Sequence, residues 1–232
     1  MVKTIDIIVP VYNEENTLRE VIKRLEETDF CGLQKRLIFV DDASSDNSYE
    51  ILKSPEYAHH LILSHKKNAG KGKAITTAFE HCSADIVAIQ DADLEYNPND
   101  YKELLPFIIN DEAKVVYGSR LLDKNQQKSF LFLSLIANKF LTFLTNLLYG
   151  SKITDMETCY KAFSYDVIKD IKINARRFDF EPEITAKILK KGVKIKEVPI
   201  SYNGRLYAQG KKVTAKDAVC AIFTLFRYRF FD

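Results

Sequence analysis

The chain has 232 residues, 46% of them hydrophobic and 28% charged, enough for one large α/β domain with a buried core and too apolar for a disordered segment. A net charge of +2 argues against nucleic acid as a partner, and four scattered cysteines (Cys31, Cys82, Cys159, Cys220) without CxxC or His-rich spacing argue against a zinc site. The opening MVKTIDIIVP runs straight into a strand pattern with no signal-peptide core, so the expected location is cytoplasmic with free thiols.

In chain order, a β-rich run at 4–9 is followed by helical periodicity at 15–27, a second strand at 37–40 and a helix at 46–52. A short strand at 60–63, a helix at 72–81, a strand at 85–89, a helix at 100–109 and a strand at 114–117 complete the first half. Short apolar strands between helices imply a mostly parallel sheet covered on both faces, whose ligands bind at the carboxyl ends of the strands. Asn13-Glu14-Glu15, Asp41-Asp42 and Asp91-Ala92-Asp93 each follow a strand directly, so they are expected on one edge of the sheet.

The second half is less regular. Residues 130–149 are mostly apolar, with Ser134, Asn138, Lys139, Thr142, Thr145 and Asn146 on one helical arc of about 140° at the ideal repeat. Spanning a membrane would put Asn138, Lys139 and Asn146 in hydrocarbon at a cost. The remaining readings are a helix packed on the core, a contact with a second copy in a homodimer, or a helix lying in a membrane surface. A strand at 193–202 carries Pro199, which marks an edge or a strand end. A basic loop at 203–212 and an apolar helical tail at 214–231 follow. Eight acids and one base lie in 85–112, and nine bases and one acid in 187–216. That asymmetry fits either a site for both a cation and an anion or two solvated faces.

The strongest chemical signal is Asp91-Ala92-Asp93-Leu94-Glu95. In an extended segment residues i and i+2 share a side, so three carboxylates could converge on a hard cation such as Mg2+ or Mn2+. The other reading is a solvated acidic loop with helix caps. Tyr12 could stack on a base, Glu14 and Asp42 could accept hydrogen bonds from base or ribose, and Asn13 and Asp46 suit helix caps. The NAGKGK run at 68–73 lacks GxxxxGK[ST], and no GxGxxG follows the first strand, so neither a P-loop nor a dinucleotide site is supported.

Together, IIVPVYNEENTL (7–18), FVDDASSD (39–46), NAGKGKA (68–74), DADLEYNP (91–98), YGSR (117–120), TDMETCYKAF (154–163), FDFEPEITAK (178–187) and YNGRLYAQGKK (202–212) resemble glycosyltransferase family 2. The resemblance is to the dolichol- or polyprenyl-phosphate mannosyl- or glucosyltransferase branch. It implies a GT-A (nucleotide-diphospho-sugar transferase) fold over 1–232 as a single catalytic domain, with a nucleotide-sugar-binding half at 1–125. The half at 126–232 would face the acceptor and carry amphipathic helices.

It implies that Pro10, Tyr12, Glu14, Val40 and Asp42 hold the nucleoside of a UDP- or GDP-sugar. Asp91, Ala92 and Asp93 would lie at the diphosphate, with Asp93 and Glu95 on the metal and Asp91 close to it. Arg120, Arg205 and Lys211 would bind phosphate groups. Asp155 and Glu157 are the base candidates for a hydroxyl acceptor, whereas an ionised lipid phosphate needs none. Some relatives carry Gln where this chain has Glu95, and many append transmembrane helices.

The expected reaction is inverting transfer of a hexose to a polyprenyl phosphate, with the protein cytoplasmic or peripheral on the inner membrane face. Transfer to a saccharide or protein hydroxyl and non-catalytic nucleotide-sugar binding are the alternatives.

Overall fold

A computed structural model describes residues 2–123, 132–205 and 215–231. Seven strands form one sheet in the order β3-β2-β1-β4-β6-β5-β7. They are β1 (Thr4–Val11), β2 (Gln34–Asp41), β3 (Leu61–Ser64), β4 (Ile86–Ile89), β5 (Val115–Ser119), β6 (Lys161–Ser164) and β7 (Ile195–Pro199). The pairings β1–β2, β1–β4, β2–β3 and β5–β7 are parallel, and β6 runs antiparallel to both β4 and β5.

The helices are α1 (Leu18–Glu27), α2 (Ser48–Leu52), α3 (Lys71–Phe79), α4 (Tyr101–Ile109), α5 (Phe132–Tyr149), α6 (Tyr165–Ile168), α7 (Phe180–Lys190) and α8 (Ala215–Phe230). Strand alternation divides the core. Ile5, Ile7, Val9 and Val11 point to the α1 and α4 side with Leu18, Ile22 and Leu105, whereas Ile8, Ile38, Val40 and Val87 meet Ile75 of α3 and Ile184 of α7. Asp6 is buried in β1 yet satisfied: its register partner Arg36 on β2 binds both carboxylate oxygens at 2.7 and 2.8 Å.

The helix expected at 15–27 begins at Leu18, because the Glu14 carbonyl first takes the Thr17 and Leu18 N–H groups in a turn. Pro199 closes β7, the last strand of the sheet. The sequence pattern did not reveal β6, α6 or α7. β6 is only four residues long, and Pro182 in the first turn of α7 conceals a helix it does not break.

α3 enters the site through a close backbone approach. Gly70 has φ +93°, and a Cβ there would lie 2.3 Å from the Arg176 carbonyl oxygen; one on Gly72 would lie 2.9 Å from that of Ala175. The carbonyls of Arg177 and Arg176 accept the N–H groups of Gly72 and Lys73, which have no partner within the helix. Gly70→Ala is therefore expected to cost about 1–3 kcal/mol or more in urea unfolding, from backbone strain plus the clash. Gly32→Ala, also at positive φ (+74°) but with nothing within 4 Å, should cost clearly less. Equal losses would show that the 175–177 segment does not hold α3 in place.

Candidate active site

The adjacent strands β2, β1 and β4 end together, and a cavity of about 850 Å³ opens at their carboxyl ends. Pro10, Tyr12, Glu14, Asp42, Asp91, Ala92, Asp93, Glu95, Arg120 and Arg205 all line it. Val40 does not: its side chain is fully buried in the core on the α3 face. Asp155 is 0% exposed and lies behind the wall, and Lys211 falls outside the described residues.

The acidic segment after β4 turns instead of running extended. Leu94 takes φ +61°, and Asp93 Oδ1 accepts the Glu95 N–H at 3.1 Å. The carboxylates consequently face different cations. Asp91 pairs with Lys71 Nζ at 2.7 Å. Arg205 gathers the others: its guanidinium meets Glu14 at 3.1 and 3.2 Å and Asp93 at 2.9 Å, and its N–H donates to Glu95 at 2.8 Å. Tyr202 donates to the second Glu95 oxygen at 3.0 Å.

Among the described ion pairs two cations thus serve five acids, since Lys71 also reaches Glu181. Burial raises the Asp91 carboxyl, but the Lys71 charge outweighs it and holds the pKa below the usual value. Asp93 goes the other way, to about 7: burial and the charges of Asp91 and Glu95 prevail, because Arg205 is shared among three carboxylates. These hard oxygen donors carry surplus negative charge, which fits a divalent cation. They are not preassembled as a cage. Among the described residues, only Glu26, His59 and His60, at the surface, bring three ligand atoms within 4.8 Å of one another.

Asp42 uses its carboxylate on the protein itself, accepting from the Ala69 N–H at 2.9 Å and the Gly70 N–H at 2.7 Å, with His65 Nδ1 at 2.7 Å. It shapes the turn into α3. Asp46 accepts from the Ser48 and Glu15 N–H groups, but Asn47, not Asp46, occupies the cap position of α2, so Asp46 closes the turn before the helix instead of capping it.

Two site residues were not foreseen from sequence. Lys71 is the first residue of α3, where a cation opposes the helix dipole. It is held there by Asp91, by Glu181 at 3.5 Å and by Cys159 Sγ at 2.8 Å. Glu181, in the first turn of α7, lines the same cavity. A lysine opening a helix against its dipole was the available signal.

Arg120 forms a two-pronged pair with Asp155 (Nε–Oδ2 2.7 Å, Nη2–Oδ1 2.8 Å), and its own N–H donates to the same carboxylate. Asn138 of α5 adds a bond at 2.7 Å. Burial raises the Asp155 carboxyl, but Arg120 and these donors hold it below the ordinary carboxylate range. Glu157, by contrast, lines the cavity and is pushed up to about 8 by burial and by Glu181.

The family model for "Glycosyl transferase family 2" matches residues 6–172. A UDP-N-acetylglucosamine–dolichyl-phosphate N-acetylglucosaminyltransferase of Methanococcus voltae is 30% identical, covering 91% of each chain. An undecaprenyl-phosphate 4-deoxy-4-formamido-L-arabinose transferase of Edwardsiella ictaluri is 26% identical over 90% of this chain and 63% of its own. In structure, glucosyl-3-phosphoglycerate synthase of Mycobacterium tuberculosis, in complex with Mn2+, UDP and phosphoglyceric acid, superimposes with a TM-score of 0.76 over 99% of this chain and 80% of that one, at 18% identity. The chain belongs to glycosyltransferase family 2; it is a glycosyltransferase with the GT-A fold.

Two outcomes follow from the charge balance. Asp155→Asn should destabilise the fold by about 3–5 kcal/mol in denaturant unfolding, because it strips the buried Arg120 of its counter-charge. A stable variant that lost only turnover would make Asp155 a base instead. Asp93 has a folded-state pKa raised to about 7 from 3.8, so the ligand-free fold should lose stability as pH rises from about 4 through 7. Asp93→Asn should remove part of that loss. Parallel pH curves for the two proteins would show that Asp93 ionises normally.

Proposed function

We propose that this transferase moves a hexose from a nucleotide-sugar, with UDP or GDP as the carrier, onto a polyprenyl phosphate presented at a membrane surface, with Mg2+ or Mn2+ as cofactor. The observation that carries the acceptor assignment is the inverted polarity of α5. Apart from the exposed Lys139, its polar arc faces inward: Asn138 binds Asp155, Thr142 donates to Asn138 and accepts from the Met156 N–H, and Asn146 binds the Ile153 carbonyl. Its apolar arc faces outward, with Leu133, Ile136, Phe140, Phe143 and Leu147 exposed at helical spacing. α8 packs beside it and exposes Val219, Phe223, Phe226 and Phe230. Contiguous apolar surface of this kind marks an interaction site.

Leu133, Ala137 and Leu141 of α5 also line the cavity, so the apolar surface continues into the charged site. An amphiphile with an anionic head and a long hydrocarbon tail matches both ends. Arg227 and Arg229, in the last turn of α8, suit an anionic headgroup layer. No described helix is long and apolar enough to cross a membrane, which fits peripheral attachment on the face where nucleotide-sugars are available. The names of the Methanococcus and Edwardsiella relatives, both lipid-phosphate sugar transferases, support the same acceptor class.

On the donor side, Asp93 and Glu95 would hold the cation, with Asp91 at its flank. A cation there would neutralise the departing diphosphate. Arg205, which pairs with these carboxylates, would then be available to the phosphates. Lys71 and Arg120 are fixed positive charges on the cavity wall. The phosphate oxygen of the acceptor is ionised near neutral pH and attacks the anomeric carbon in line, with inversion. The protein's task is to position it and screen its charge.

The test is transfer of labelled sugar from UDP- and GDP-hexoses to undecaprenyl phosphate in phosphatidylglycerol-containing vesicles, with Mn2+ or Mg2+. The wild type should label the lipid. Phe143→Ser combined with Phe223→Ser should reduce that labelling at least tenfold while sparing transfer to a short, water-soluble isoprenyl phosphate. Label appearing only in saccharide acceptors would refute the lipid-phosphate reading. A wild-type dimer that the double variant dissociates, with vesicle transfer intact, would assign the apolar face to a second copy.

A further inference from the structure

Two buried carboxylate oxygens at this cavity have no partner. Glu157 Oε1 and Glu181 Oε2 are both shielded from solvent and make no hydrogen bond. Both residues line the cavity. A buried acceptor without a donor is costly, so each such atom in a folded protein calls for a reason. The two belong to one group. Glu181 Oε1 is 3.5 Å from Lys71 Nζ and lies within hydrogen-bonding reach of the Cys159 thiol, and Lys71 in turn pairs with Asp91 at 2.7 Å. The path from the acidic turn after β4 across Lys71 therefore leads to Glu181, whose charge acts on Glu157 in the same cavity wall, beyond the place assigned to the diphosphate. The sugar of a nucleotide-sugar lies one bond beyond its diphosphate.

We propose that Glu157 determines sugar specificity: its Oε1, together with Glu181 Oε2, receives hydroxyl groups of the transferred hexose. This rests on the nucleotide-sugar reading above and adds a residue and a chemistry to it. Hydroxyls suit the pair because each both donates and accepts. Burial and the neighbouring Glu181 charge leave Glu157 largely protonated at neutral pH, so it can also donate to a hydroxyl that donates to Glu181. A site that hydrogen-bonds a substrate hydroxyl rejects the analogue lacking it far more strongly than an apolar pocket could. The carboxylate of Asp155, two residues earlier, is taken up by Arg120 and Asn138. Cys159, two residues later, is engaged with Lys71. Glu157 is thus the member of this segment left to read the ligand.

Calorimetric titration in the presence of Mn2+ tests the assignment, with UDP, UDP-glucose, GDP and GDP-mannose as probes. For whichever nucleotide the wild type binds, Glu157→Ala should leave the affinity for the bare diphosphate within about twofold. It should weaken the matching nucleotide-sugar at least tenfold. Glu157→Gln, which keeps the shape and an acceptor oxygen, should recover most of that loss, and thermal melts of both variants check that they fold. If folded Glu157→Ala keeps the wild-type ratio of sugar-nucleotide to nucleotide affinity, Glu157 does not touch the sugar and the proposal is wrong. The proposal also fails if donor affinity is unchanged and only turnover falls, since that makes Glu157 a base. If the wild type binds no nucleotide-sugar at all, the functional reading itself fails and takes this one with it.

Discussion

Among the described residues, a surplus of largely buried carboxylate over cation sits where three parallel strands end, and the local structure is arranged around it. Glu14, Asp91, Asp93 and Glu95 meet only Lys71 and Arg205 among the described ion pairs. Unpaired charge in a low-dielectric site is expensive, so every cation present is held by more than one element. Lys71 is fixed at the start of α3 by the Gly70–Arg176 contact, against its own helix dipole. Arg205 follows β7 from the far end of the sheet and reaches carboxylates that follow β1 and β4. Burial and the charges of Asp91 and Glu95 outweigh the guanidinium 2.9 Å away, which is why the Asp93 pKa is raised to about 7. Carboxylates so placed are poised for a divalent cation, and such a cation would in turn screen the charge of a bound diphosphate.

The second fixed point, Arg120 with Asp155, links the sheet to the acceptor side. Arg120 follows β5, Asp155 begins the segment leading into β6, and Asn138 brings α5 onto the same carboxylate. Glu197 of β7 closes the arrangement by accepting the N–H groups of Thr154 and Asp155. Satisfying this polar knot turns the hydrophilic arc of α5 inward. Leu141, Leu144 and Leu148 of the apolar arc pack with Ala221 and Leu225 of α8, and the rest of that arc faces outward. The exposed phenylalanines are therefore a geometric consequence of a buried ion pair, and the same helix carries hydrophobic surface from the cavity wall to the outside of the molecule.

Much of this was legible in the sequence because it follows from periodicity. Strands in the first half are β-branched runs whose boundaries shift by only a few residues, and polar clusters after 4–9, 37–40 and 85–89 had to meet once those strands ran parallel. Pro199 at a sheet edge follows from its missing N–H. The failures share a cause: they concern backbone turns and pairings that a local window does not encode. The left-handed Leu94 breaks the alternation that would have aligned Asp91, Asp93 and Glu95. β6 is antiparallel within a parallel neighbourhood, and α7 opens through a proline. The wheel of 130–149 separated a polar from an apolar arc, but nothing local says which arc faces the core. That depends on Asp155, seventeen residues from Asn138 in sequence.

The state of the two carboxylates expected to serve as bases bears on the acceptor. A general base must be ionised and must have a lone pair free to take the proton. Asp155 is ionised, but both its oxygens are occupied by Arg120 and Asn138, and it lies behind the cavity wall. Glu157 has a free oxygen at the wall, but with a pKa near 8 it holds its proton at neutral pH. One carboxylate has the charge without the access, and the other the access without the charge. A hydroxyl acceptor would need both in one residue. An acceptor that arrives already ionised needs neither, only the fixed cations that the rest of the site provides.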